Sequence, residues 1–318
     1  MNKNEQCGSR VQKAVEQARA YMERSGKSQA ATAKEIGISG ATLSLFMKGR
    51  YMGDNEEIAD SIEQFLFIDH KRNTLSKKPD ICLELHNTSQ ILEKVYIAQV
   101  TGDILLIYGD AGCGKTTALQ HYKRNNKNVI YIEADVTNNS YRSVLSMIAE
   151  ETGESGGGST AALMRRMIGR LKGTNTLLII DEAQHLAPKA FDAIRALNDK
   201  AGIGIVYSGN PSIKKRMYGC HQADYDQVYS RIGYHCPLYN HYSQNDIQAI
   251  FSRKNLNKEC LSYLHRIAQK KGGLRVMIKQ YCIAENIARS FDENFDLIHL
   301  QEAAERMGIL EGGMEKNE

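Results

Sequence analysis

The chain has 318 residues, 42% hydrophobic and 25% charged, with a formal net charge of +4, ordinary values for a globular protein with room for two domains. No apolar run approaches the roughly 20 residues that cross a bilayer, and the opening MNKNEQCGSR has no apolar signal core. Seven cysteines without a CxxC pair or a Cys/His metal spacing fit a reducing compartment, so the expectation is a cytoplasmic protein with no membrane span and no disulfide framework.

Residues 1–69 carry short helical patterns. Residues 28–37 (SQAATAKEIG) and 39–49 (SGATLSLFMKG) read as two short helices joined by a tight turn at Gly37 and Ile38. Ala30, Ala33, Ile36, Ile38, Leu43 and Phe46 supply a small buried face, and Ser39 is placed to cap the second helix. This is the spacing of a helix-turn-helix, whose second helix enters the DNA major groove. Gly40, Thr42, Ser44 and Lys48 would then face outward, and Arg50, just past the helix end, would reach phosphate. These mostly small, uncharged groups suit backbone positioning better than base readout. A three-helix bundle that docks another protein is the alternative. Residues 70–80 (HKRNTLSKKPD) read as a linker, being polar, basic and closed by a proline.

From 81 to 238, apolar runs alternate with helical patterns. The runs are 103–108 (DILLIY), 129–133 (VIYIE), 177–180 (LLII) and 203–208 (IGIVYS); the helical patterns are 116–125, 141–152, 161–171 and 189–199. Such alternation predicts a parallel sheet covered on both faces. Residues 153–160 (GESGGGST) read as a flexible surface loop by composition. Residues 239–310 are helical again and predict a small helical lid, followed by a tail at 311–318.

The chemistry concentrates in this middle region. Gly109, Asp110, Ala111, Gly112, Cys113, Gly114, Lys115 and Thr116, followed by Thr117, fit GxxxxGK[ST] between a strand and a helix. In that context backbone N–H groups and a helix N-terminus cradle phosphates, Lys115 reaches the β- and γ-phosphates of ATP, and Thr116 holds Mg²⁺. The run LLIIDE brings Asp181 to the sheet's carboxyl edge as a second Mg²⁺ group and Glu182 beside it to activate water. Asn210 ends the next strand, where it would position that water; an Asn-Pro turn explains it equally well. Cys113 reads as a small spacer.

The P-loop, the DE strand and the strand ending in Asn210 resemble those of the AAA+ ATPases. That resemblance implies an α/β P-loop core, and places Arg231 (in SRI) as an arginine finger acting on a neighbouring subunit and Arg275 (in GGLR) as the sensor arginine of the C-terminal region. A guanidinium at either place would neutralise charge on the transferred phosphoryl group.

Taken with the amino-terminal module, the segments 46–55, 109–117 and 173–186 and the GGLR segment, nearly the full chain resembles the family of phage Mu B transposition proteins. The resemblance implies ATP-dependent filaments on double-stranded DNA, delivery of target DNA to a DDE-type transposase, and release on hydrolysis in the bacterial cytoplasm. Apart from the resemblance, Arg165, Arg166 and Arg170 on one helical pattern are candidate DNA contacts, a solvated face being the usual explanation of such a cluster; Lys214, Lys215 and Arg216 are a further basic cluster. A helicase-loader-like ATPase and an ATP-switched DNA-binding regulator remain as other readings. Asp110 departs from the motif's usual neutrality by adding negative charge near phosphate.

Overall fold

The computed structural model describes residues 3–75, 78–214 and 230–308. The tail at 311–318 and the basic residues Lys215 and Arg216 lie outside the described residues. The chain divides into two compact units, Met1–Ser76 and Lys77–Glu318.

The first unit has four helices, α1 (Lys3–Ser25), α2 (Gln29–Ile36), α3 (Gly40–Met47) and α4 (Asn55–Thr74). Ser28 and Ser39 cap α2 and α3 by accepting the backbone N–H of Ala31 and Thr42, and Gly37 ends α2. Ala14, Ala18, Ala33, Leu43, Phe46, Ile58, Ala59 and Ile62 form the core. Ala30 does not join them: with Ser28 as cap it falls in the first turn and is exposed, while Thr32 is fully buried and donates its hydroxyl to the Ser28 carbonyl. Arg10 binds Glu56, Asp60 and Glu63, tying α1 to α4. Helix α4 continues to Thr74, into the stretch 70–80, because nothing before Pro79 breaks a helix.

The second unit opens with α5 (His86–Thr101) and holds a five-stranded sheet ordered β2-β3-β4-β1-β5. The strands are β1 (Ile104–Gly109), β2 (Val129–Glu133), β3 (Leu177–Asp181), β4 (Gly204–Gly209) and β5 (Ile232–Leu238), and every pairing is parallel. Helices α6 (Lys115–Asn125), α7 (Tyr141–Glu151), α8 (Thr160–Leu171) and α9 (Pro188–Ala201) make the crossovers. Alternate strand residues divide between two cores. Leu106, Ile180 and Tyr207 pack with α7, α8 and α9, whereas Leu105, Ile107, Ile179 and Val206 pack with α5 and α6. This double burial is why the strands read as unbroken apolar runs. Two elements have no such signature: α5, and edge strand β5, which carries Gly233 and Pro237.

Two arginines bond the backbone of the loop 153–160. Arg142 donates to the Gly156 and Gly158 carbonyls, and Arg166 to those of Ser155 and Gly157. Four further helices, α10 (Gln244–Ile250), α11 (Lys258–Ala268), α12 (Gly273–Ser290) and α13 (Leu297–Arg306), enclose a separate core around Phe251, Tyr263, Met277, Tyr281 and Leu300, joined by Leu85 ahead of α5. Among the described residues no helix is long and apolar enough to cross a membrane.

Candidate nucleotide site

Because β1, β3 and β4 run parallel and adjacent, their carboxyl ends deliver the P-loop, Asp181 with Glu182, and Asn210 to one edge, the edge where open α/β sheets bind ligands. A cavity of about 540 Å³ lies there. Its lining includes Gly112, Lys115, Thr116, Thr117, Glu182, Asn210 and Arg275.

Lys115 is 9% exposed, and its ammonium donates to the Gly109 carbonyl at 2.6 Å and the Asp110 carbonyl at 3.0 Å. An anion entering the loop would take over those bonds. Cys113 is buried, with its thiol donating to the Asp110 carbonyl, as a spacer should. The Asp110 side chain is exposed, which screens its charge from phosphate. Gly112 has φ 90°, and a Cβ there would lie 1.9 Å from the Gly272 carbonyl. Asn240 donates to the Ala111 carbonyl at 3.2 Å. The C-terminal region therefore packs directly on the P-loop. The amino ends of α6 and α12 both open on the cavity, so two helix dipoles favour an anion there.

Asp181 is 1% exposed and bonded on several sides. Its Oδ2 accepts the Thr116 hydroxyl at 2.7 Å and the Tyr131 phenol at 2.9 Å, and its Oδ1 accepts the Ser208 hydroxyl at 2.7 Å. Burial, then the Asp181 charge, pushes the Tyr131 phenol far above its ordinary pKa, so it stays protonated and donates. Among the described residues no three His, Cys, Asp or Glu side chains gather as a protein-only metal cage. The adjacent hydroxyl and carboxylate fit Mg²⁺, which needs few protein ligands and takes the rest from phosphate and water.

Glu182 has a left-handed backbone, φ 51° and ψ 33°. Asn210 starts a turn and borders the cavity. Its Oδ1 accepts the Ser212 N–H at 2.9 Å and so starts a turn, while the residue also lines the cavity. Arg275 is exposed in the first turn of α12. Arg231 is elsewhere: it precedes β5 at the sheet's amino edge, some six residues or roughly 20 Å along the strand from the phosphate edge, and pairs with Asp199 at 3.6 Å. That exposed pair contributes about 0–1 kcal/mol.

Of the DNA-contact candidates, Gly40, Lys48 and Arg50 are exposed, while Thr42 and Ser44 are half-buried. The Thr42 hydroxyl sits 2.8 Å from Ser39 Oγ, within the cap. Arg165 and Arg170 are exposed on α8; the Arg166 guanidinium is engaged by the loop carbonyls. Tyr131, Ser208, Gln184 and Asn240 are not among the site residues expected from the sequence, and neither is the cavity's apolar side, Cys82, Leu85, Ile250, Leu274 and Ile278. Ser208, a hydroxyl ending an otherwise apolar strand, was the one with a visible signal.

Residues 98–217 match a family described as an AAA domain, and residues 230–307 match the family described as Mu B transposition protein, C terminal. The chain is similar to the ATP-dependent target DNA activator B of Escherichia phage Mu, with 30% identity over 283 residues covering 87% of this chain and 89% of that protein. It is also similar to the Mu-like prophage FluMu DNA transposition protein B of Haemophilus influenzae, at 28% identity with 84% and 94% covered. Among solved structures it is similar to the Aeropyrum pernix ORC2 protein in its ADP form (TM-score 0.55, 16% identity, 74% and 73% covered). Domain III of the Thermotoga maritima replication initiation protein DnaA is another (TM-score 0.51, 18% identity, 71% and 94% covered). At such identities the solved structures show the fold alone, that of an AAA+ P-loop core.

Proposed function

The chain belongs to the family of Mu B transposition proteins, and on that premise we propose that it is an ATPase that grips target DNA while ATP fills the P-loop cavity. It assembles on double-stranded DNA, delivers that DNA to a DDE-type transposase and stimulates strand transfer; hydrolysis then loosens the assembly. The setting is the host cytoplasm, on DNA. The observation that carries this reading is the joining of Thr116 to Asp181 across the sheet edge, in a chain that matches a protein named as an ATP-dependent target DNA activator over 89% of that protein's length. The relatives' names favour this over a loader or a switched regulator.

Within the site, Lys115 leaves the Gly109 and Asp110 carbonyls and holds phosphate oxygens. Thr116 and Asp181 hold Mg²⁺, which supplies neutralisation of phosphate charge when bound. Glu182 accepts a proton from the attacking water, and Asn210 orients that water. Arg275, from the first turn of α12, adds positive charge and makes the four C-terminal helices a lid on the nucleotide. Ile250, Leu274 and Ile278 offer apolar contact to the base. Arg231, distant from its own cavity, completes a neighbour's site, which makes hydrolysis a property of the assembly. The α2–α3 pair acts as a helix-turn-helix, with Lys48 and Arg50 on phosphates, and Arg165 and Arg170 add core contacts to DNA; Arg166 would have to give up the loop carbonyls to join them.

Electron microscopy with duplex DNA and a slowly hydrolysed ATP analogue tests the reading. Regular protein-coated filaments or rings with the analogue, and bare DNA without nucleotide, are expected. Bare DNA in both conditions would overturn it.

A further inference from the structure

Gln184 follows Glu182 by two residues, in a single 3₁₀ turn (Ala183–His185), and is only 7% exposed. Burying a primary amide is costly unless both its oxygen and its nitrogen find partners. Here Oε1 accepts the Asn210 backbone N–H at 3.2 Å, and Nε2 donates to the Glu182 carboxylate. These partners fix the amide's orientation. A backbone N–H only donates and a carboxylate only accepts, so a flipped amide would lose both bonds. The end of β4 leaves room for it: a Cβ on Gly209 would fall 2.4 Å from Gln184 Oε1. Glu182 and Asn210, the two groups so joined, both line the cavity.

We infer that Gln184 is a positioning residue for hydrolysis. One buried amide holds the Glu182 carboxylate at the cavity and ties it to the end of β4, so that Glu182 and Asn210 keep a fixed separation. This inference rests on Glu182 being the residue that activates water. The P-loop bonds and the Thr116–Asp181 pair do not involve Gln184, so its loss should lower turnover and leave nucleotide affinity alone.

The test is steady-state ATP hydrolysis by the full chain on saturating duplex DNA. Gln184→Met keeps the side chain's bulk and removes both polar groups. Its kcat should fall by about tenfold to a hundredfold, since misplacing a catalytic group by ~1 Å costs on that order, while KM for ATP stays within about twofold. Gly209→Ala should reproduce this split without touching Glu182, because its methyl displaces the amide. In a Gln184→Ala background, which removes the obstacle, adding Gly209→Ala should lower kcat no further. Glu182→Gln is the control. If it turns over at the wild-type rate, the underlying role of Glu182 fails. If it is inactive while Gln184→Met keeps or exceeds the wild-type kcat, or raises KM alone, the positioning role fails and the reading of Glu182 stands. Full multiplication of the Gly209→Ala and Gln184→Ala effects would also overturn it.

Discussion

The P-loop cavity and the outer face of α3 are both assigned a phosphate-bearing ligand, and they are built in opposite ways. At the cavity, groups from β1, β3, β4 and α12 converge, and the buried Asp181 carboxylate accepts three side-chain hydroxyls. On α3, Lys48 and Arg50 stand exposed near a helix end, with small neighbours. A buried group bonded on several sides tolerates no loss, because each missing partner leaves a desolvated charge behind. Exposed cations act nearly independently and are screened by salt. On the proposed reading the cavity switches and α3 grips, and the two should respond to mutation on different scales.

The largest effect is expected at the cavity. Lys115→Ala removes the ammonium that the P-loop carbonyls hold, and nucleotide affinity should fall roughly 10- to 100-fold, as for loss of a charged hydrogen bond. ATP-dependent DNA retention should vanish with it, as read by filter binding; retention at the wild-type level would break the link between the two regions. The smallest effect is expected on α3. Lys48→Ala and Arg50→Ala should each weaken binding uniformly across DNA sequences and flatten the dependence of log K on log salt by about 0.9. A change in sequence preference, with the salt slope unaltered, would mean that α3 reads bases and that the contrast is drawn in the wrong place.

What could be read from the sequence follows the same divide. The P-loop, Asp181–Glu182 and Asn210 lie in contiguous motifs at strand ends, so three buried strands and their loops announce the site. Tyr131 does not, because within VIYIE it reads as one more apolar strand residue; only the β2–β3 register places its phenol beside Asp181. Gln184 and Asn240 act through contacts 26 and 129 residues away along the chain, which local periodicity cannot report. Composition does not announce the bonds that Arg142 and Arg166 make to the backbone of the glycine-rich loop. It also hid β5, whose Gly233 and Pro237 are tolerated because the strand is an edge. Ala30 shows the limit of pattern alone: with Ser28 as the cap it lies in the first turn and faces outward.

The central claim is that the state of the cavity sets the grip on DNA. It is tested most directly by the dissociation rate of labelled duplex from wild-type protein and from Glu182→Gln, both loaded with Mg²⁺-ATP and chased with unlabelled DNA. Wild-type protein should release duplex on the timescale of its own ATP turnover, and Glu182→Gln should bind ATP, hydrolyse poorly and hold the duplex many turnovers longer. Equal release rates from the two proteins, with hydrolysis impaired in the variant, would contradict the account.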